Sequence, residues 1–142
     1  MKLFLDTSSL IKLYHIEDGT VEIENLFIKF KVTDVFISEL SKIEFTSAIL
    51  KKVRTKEITE NQANTTIQFF EFDFQKYKFV DLNQIILNNA SQLIIKYGSQ
   101  GLRTLDSIQL STAIALIQNV NLFIAADKLL LKLFKEENLP VN

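Results

Sequence analysis

The sequence predicts an α/β fold: a parallel sheet of short buried strands with helices on both faces. Three observations carry this. Apolar runs of strand length stand at residues 3–5, 35–37 and 121–125, with a weaker one at 79–80. Segments with helical spacing of apolar residues lie between them, and that alternation is the mark of parallel sheets covered on both sides. Finally, 142 residues suit one domain, and with one Pro and three Gly there is little material for linkers.

Residues 3–5 read as a buried strand, and 8–15 as a short helix with Leu10, Ile11 and Leu13 inward. Asp18-Gly19-Thr20 reads as a turn and cap. Across 21–30, Val21, Ile23, Leu26, Phe27 and Phe30 recur at helical spacing. The run 35–37 is a second strand ending at Ser38. A helix over 39–53 follows, with Leu40, Ile43, Ser47 and Leu50 on one side. Thr59-Glu60-Asn61-Gln62 matches a capping box and opens a helix to about Phe70. These two helices form a hairpin that could stand out as an arm. Asp81 with Gln84 is expected to cap a helix over 82–97, which Gly98 ends. Thr104 is expected to cap a helix to about 118. The fourth strand leads into a helix over 127–137, and 139–141 reads as a last edge strand.

The bulk composition removes several functional classes. A net charge of −1 provides no global basic field for nucleic acid, so a polyanion must be held by a local patch or a metal ion. The absence of cysteine excludes disulfides, thiolate ligands and a cysteine nucleophile, which suits the cytosol. No apolar run approaches the ~18 residues of a membrane span. The N-terminus does not read as a signal peptide, because Asp6 interrupts its apolar run. His15 is the only histidine, and no Ser-His-Asp arrangement competes.

Asp6 and Asp127 each follow a buried strand, which sets both at the carboxyl edge of a parallel sheet, where ligands gather. Glu44 lies on the Leu40–Ala48 line of its helix, and Asp106 heads the line Leu110, Ala113, Ile117. Acids on core-facing lines need a partner, since an unpaired buried carboxylate is costly. Carboxylates brought together repel, and a divalent cation relieves this. All-oxygen ligands select Mg²⁺ or Mn²⁺. The chemistry such a site favours is hydrolysis of a phosphodiester. Each acid also has a plainer role open to it: Asp6 and Asp127 as helix caps, Glu44 as partner of Ser41 in a capping box, Asp106 as a first-turn acid answering the helix dipole.

Four segments resemble the motifs of PIN-domain ribonucleases, especially the VapC-type toxins of toxin–antitoxin pairs. Residues 5–14 (LDTSSLIKLY) are similar to the opening motif, 38–44 (SELSKIE) to the second, 102–113 (LRTLDSIQLSTA) to the third and 123–130 (FIAADKLL) to the fourth. The resemblance implies a three-layer α/β/α sandwich on a five-stranded parallel sheet, spanning residues 1–142 as one domain. It implies a Mg²⁺- or Mn²⁺-dependent endoribonuclease with Asp6, Glu44, Asp106 and Asp127 as the acidic metal site, supported by the hydroxyls of Ser8 and Thr104. It also implies a homodimer and a VapB-like antitoxin as partner. An RNA-processing nuclease without antitoxin, or an inactive RNA- or protein-binding module, are the rival readings. The family often carries Thr where Ala125 stands, which makes Asp127 the weakest of the four acids. Arg103, Lys12, Lys42 and Lys128 lie within a few residues of the acids and are the candidate phosphate contacts, Arg103 foremost because a guanidinium can fork onto phosphate. Phe69, Phe70, Phe72 and Phe74 are either a core stripe or a partner groove.

Overall fold

Strand β1 (Lys2–Leu5) lies inside the sheet, and its successive side chains serve opposite faces. Phe4 joins Phe123, Leu110, Leu130 and Phe134 on one side, while Leu5 joins Leu10, Ile37, Phe45 and Phe70 on the other. The computed structural model describes residues 1–142. After β1 come α1 (Thr7–Ile11), α2 (Thr20–Phe30), β2 (Asp34–Ser38), α3 (Leu40–Arg54) and α4 (Glu60–Phe72). They are followed by β3 (Tyr77–Val80), α5 (Gln84–Tyr97), α6 (Thr104–Ala115), β4 (Leu122–Ile124) and α7 (Lys128–Glu136). All strand pairs are parallel, in the order β3-β2-β1-β4. Helices α1 to α4 cover one face and α5 to α7 the other, which is the α/β/α sandwich expected.

The sheet has four strands, not five. The expected edge strand at 139–141 is reduced to one bridge between Phe123 and Val141. Pro140 has no N–H to extend a ladder; only its carbonyl takes part, accepting from the Phe123 N–H at 2.8 Å.

Several local expectations shift. Asn83, not Asp81, caps α5, its side chain accepting from the Ile86 N–H at 3.0 Å. Thr104 is the first residue of α6 and not its cap; its carbonyl instead accepts from the Ser107 hydroxyl at 2.6 Å. On α3 the buried positions are Leu40, Ser41, Phe45 and Ile49. Ile43 is 72% exposed, so the helix is rotated from the Leu40–Leu50 line toward Phe45. The hairpin of α3 and α4 does not stand free. The Phe45 and Phe70 rings lie 4.2 Å apart, with Tyr14 edge-on to both. The Tyr14 hydroxyl also meets Tyr77 Oη at 2.6 Å and donates to Asp73 at 3.0 Å. Burial pushes the Tyr77 phenol up to about 12. Phe70 is thus core, while Phe69 and Phe72 are exposed. No helix is long and apolar enough to cross a membrane.

Candidate active site

Two neighbouring strands, β1 and β4, send their following helices to opposite faces: α1 packs with Leu5 and Ile37, α7 with Phe4 and Phe123. In a parallel sheet this divergence opens a crevice at the carboxyl ends of the strands. Asp6 and Asp127 flank it. The Asp6 N–H donates to the Ile124 carbonyl at 3.1 Å, which fixes the two strand ends side by side. Ser8 spans the crevice. Its hydroxyl donates to Asp6 Oδ2 at 2.5 Å and accepts from the Asp127 N–H at 3.2 Å. Ser8, expected as a supporting hydroxyl, thus touches both Asp6 and the Asp127 backbone. Thr104 makes no side-chain contact of that kind.

The remaining acids arrive from α3 and α6. Glu44 is half-buried, and its Oε1 accepts from Thr7 Oγ1 at 2.8 Å and Gln109 Nε2 at 2.6 Å. The capping-box reading fails for it: Ser41 lies inside α3, where its hydroxyl meets Thr7 Oγ1 at 2.9 Å. Asp106 is half-buried and accepts no hydrogen bond from any protein group, as a first-turn acid on a core-facing line would if left without a partner. The capping readings hold for the other two. Asp6 accepts from the Ser9 N–H at 2.8 Å, and the more exposed Asp127 accepts from the Leu130 N–H at 2.7 Å. Capping occupies one oxygen of each carboxylate and does not exclude a second role.

Three of the acids are shifted upward. Burial raises the pKa of Asp6 above the usual carboxylate range, against the pull of its Ser8 and Ser9 donors. Burial likewise raises Glu44, with the charges of Asp106 and Asp6 adding to it, against the Gln109 and Thr7 hydrogen bonds. Asp106 is raised by burial and then by Asp127, with Arg103 opposing. Glu44 and Asp106 thus each sense a neighbouring carboxylate, and no cation is in salt-bridge contact with either.

The donor chemistry fits a hard divalent ion: the oxygens are carboxylate oxygens, Asp106 is unpartnered, and Glu44 Oε2 meets no donor. The pocket is looser than the sequence reading expects. No three Asp, Glu, His or Cys side chains are grouped closely enough to grip one ion. Mg²⁺ commonly keeps several waters and takes only one or two carboxylates directly.

The candidate cations divide. Lys12 is committed to Glu17 at 3.0 Å and to the Asp18 carbonyl. Lys42 pairs with Glu39 at 2.8 Å and lies 4.1 Å over the Phe79 ring. Arg103 and Lys128 are exposed, make no salt bridge, and stand at the starts of α6 and α7 beside Asp106 and Asp127. A cavity of ≈ 390 Å³ adjoins Ser8 and Asp127 and is lined by Lys51, which makes no salt bridge, and by Lys52, which pairs with Glu17 at 3.1 Å and Glu57 at 3.3 Å. Sequence reading missed these two lysines because they lie about two turns along α3 from Glu44. Their only signal is the helical register that carries them from Glu44 toward the crevice.

The sequence matches the PIN domain family over residues 3–133. The chain belongs to the PIN-domain family. PIN proteins of this kind are nucleases, which makes the acidic crevice the natural place for chemistry on nucleic acid. No curated protein matches the chain in sequence. Among solved structures, the fold is similar to VapC20 of Mycobacterium tuberculosis, a toxin that cleaves the sarcin–ricin loop. The TM-score there is 0.70 at 12% identity, over 92% of this chain and 94% of that one. It is also similar to VapBC2 of Rickettsia felis bound to a promoter DNA fragment, with a TM-score of 0.64 at 18% identity, covering 100% of this chain and 98% of that one. A third is DNA-bound VapBC of Salmonella typhimurium, with a TM-score of 0.63 at 12% identity, covering 100% and 97%. At these identities the likeness is one of fold.

Proposed function

We propose that this PIN domain is a Mg²⁺- or Mn²⁺-dependent endoribonuclease, the toxin of a VapBC-type pair that acts in the cytoplasm. The observation that carries this reading is Asp106: a half-buried carboxylate with no hydrogen-bond donor, raised by burial and by Asp127, at the edge of the sheet crevice. Asp6, Glu44, Asp106 and Asp127 would hold the ion. When bound, it neutralises the scissile phosphate and makes water a nucleophile near neutral pH.

The chain's own groups do the rest. Ser8 keeps Asp6 Oδ2 oriented across the crevice, and the Ser9 N–H restrains Oδ1. Arg103 and Lys128, both without a salt bridge, are the side chains best placed to meet RNA phosphates as they approach the acids. Lys12 and Lys42 have other partners and contribute less. A VapB-like antitoxin would silence the site by placing a Lys or Arg against the unpartnered Asp106. The exposed apolar residues Ile85 and Ile95 of α5 support self-association as a homodimer.

Induced expression in a bacterium, wild type against Asp106→Asn, with RNA end mapping, tests the reading. Growth arrest and new RNA ends in the wild type alone are expected. New ends in both, or in neither, would refute it.

A further inference from the structure

Beneath the carboxylates lies a neutral network that joins three separate segments. Thr7 follows Asp6, Ser41 lies one helical turn before Glu44, and Gln109 lies one turn after Asp106. Each segment that supplies one of these acids therefore also supplies a buried polar side chain, and Thr7, Ser41 and Gln109 are all buried. Gln109 Nε2 approaches Glu44 Oε1 at 2.6 Å, Thr7 Oγ1 at 3.0 Å and Ser41 Oγ at 3.2 Å. Thr7 Oγ1 adds its own contact to Glu44 Oε1 at 2.8 Å.

The amide orientation is informative. Gln109 Oε1 is buried and has no hydrogen-bond partner. Turning the amide over would offer that oxygen to the Thr7 and Ser41 hydroxyls, but would also press it against the Glu44 carboxylate. The fold leaves an acceptor unsatisfied to keep an N–H on Glu44. An unsatisfied buried polar atom is uncommon in native structures and calls for a reason. Holding one particular carboxylate oxygen supplies it, because the two donors fix Oε1 and leave Oε2 free.

We propose that Gln109, with Thr7, is a positioning residue that locks Glu44 and ties it to the segments bearing Asp6 and Asp106, a role that rests on the nuclease reading for its consequence but not for its geometry. Groups that orient a metal-binding side chain typically change metal affinity or activity by about 10–100-fold when lost.

The test uses the full chain and begins without activity. In a ¹⁵N-labelled sample, the Gln109 side-chain amide, assigned by its loss in Gln109→Met, is expected to exchange slowly with solvent and to shift on Glu44→Gln. Gln109→Met matches the length of glutamine without its donors. It should keep the metal-free Tm while raising the Mn²⁺ concentration at half-maximal thermal shift by about 10–100-fold. Should that variant fail to fold, Thr7→Val replaces it, with Thr7→Ser expected to restore the wild-type midpoint. An amide indifferent to Glu44→Gln overturns the proposal. So does an unchanged Mn²⁺ midpoint in folded Gln109→Met. A wild type that ignores Mn²⁺ while its Gln109 amide answers Glu44→Gln keeps the positioning tie and removes the metal reading instead.

Discussion

Glu137 and Asp106 are both half-buried carboxylates, yet the fold treats them in opposite ways. Glu137, just after α7, accepts from Lys96 Nζ at 2.6 Å and from Tyr97 Oη at 2.5 Å. Burial alone would raise it, but Lys96 and Tyr97 overcome that and hold it below the ordinary carboxylate range. Asp106 receives no donor, and burial with the Asp127 charge carries it above that range. The chain therefore has the means to satisfy a half-buried acid and uses them at the α5–α7 corner. At Asp106 it withholds them, while the other crevice acids each receive a donor. A carboxylate left short of partners in a nuclease family is the one to read as functional.

The contrast is sharpest in activity. Asp106→Asn should abolish RNA cleavage, a loss exceeding the roughly 100-fold typical of residues that only orient a ligand, with the circular dichroism spectrum unchanged. Glu137→Gln should cleave like wild type once folded. Equal activity in the two variants would erase the distinction.

A smaller effect is expected within the crevice itself. Asp127 is exposed and already caps α7 through the Leu130 N–H. Asp127→Asn should therefore lower the cleavage rate less than Asp106→Asn does, and equal losses would overturn that ranking.

Stability should separate the two acids in the other direction. A carboxyl raised on folding contributes stability below its unfolded value and loses it as pH rises through the folded one. A lowered carboxyl contributes above its unfolded value and loses it as pH falls. In the metal-free protein near pH 7, Asp106→Asn should then raise Tm by a few degrees, and Glu137→Gln should lower it. Both differences should shrink as the pH is brought down through the carboxylate range. Thermal melts across that range check the sign, and a destabilised Asp106→Asn at neutral pH would contradict it.

How much of this was legible in the sequence follows from where each signal resides. Thr59 and Gln62 form their capping box because capping is local, reaching only three residues along the chain. The sheet-edge positions of Asp6 and Asp127 were likewise readable, since a strand that stops at an acid fixes that acid's place. The fifth strand was misread because apolar character at 139–141 says nothing about the N–H that Pro140 lacks. The buried face of α3 was misread because Ile43 and Phe45 are equally apolar, and only contact with Phe70 and Tyr14 selects Phe45. The Gln109–Glu44 contact spans 65 residues and has no local mark at all. Nor did the acidic motifs reveal that Asp6, Glu44 and Asp127 accept hydrogen bonds, or that no three ligands are closely grouped.

The most direct measurement is thermal unfolding of wild type and Asp106→Asn with and without Mn²⁺. At about 100 times its Kd, an ion that binds only the folded state adds roughly 2.7 kcal/mol, and wild type should gain several degrees of Tm. Asp106→Asn should gain little at the same concentration. Equal gains in both proteins, or no gain in wild type at saturating metal, would contradict the assignment of this crevice as a divalent-cation site.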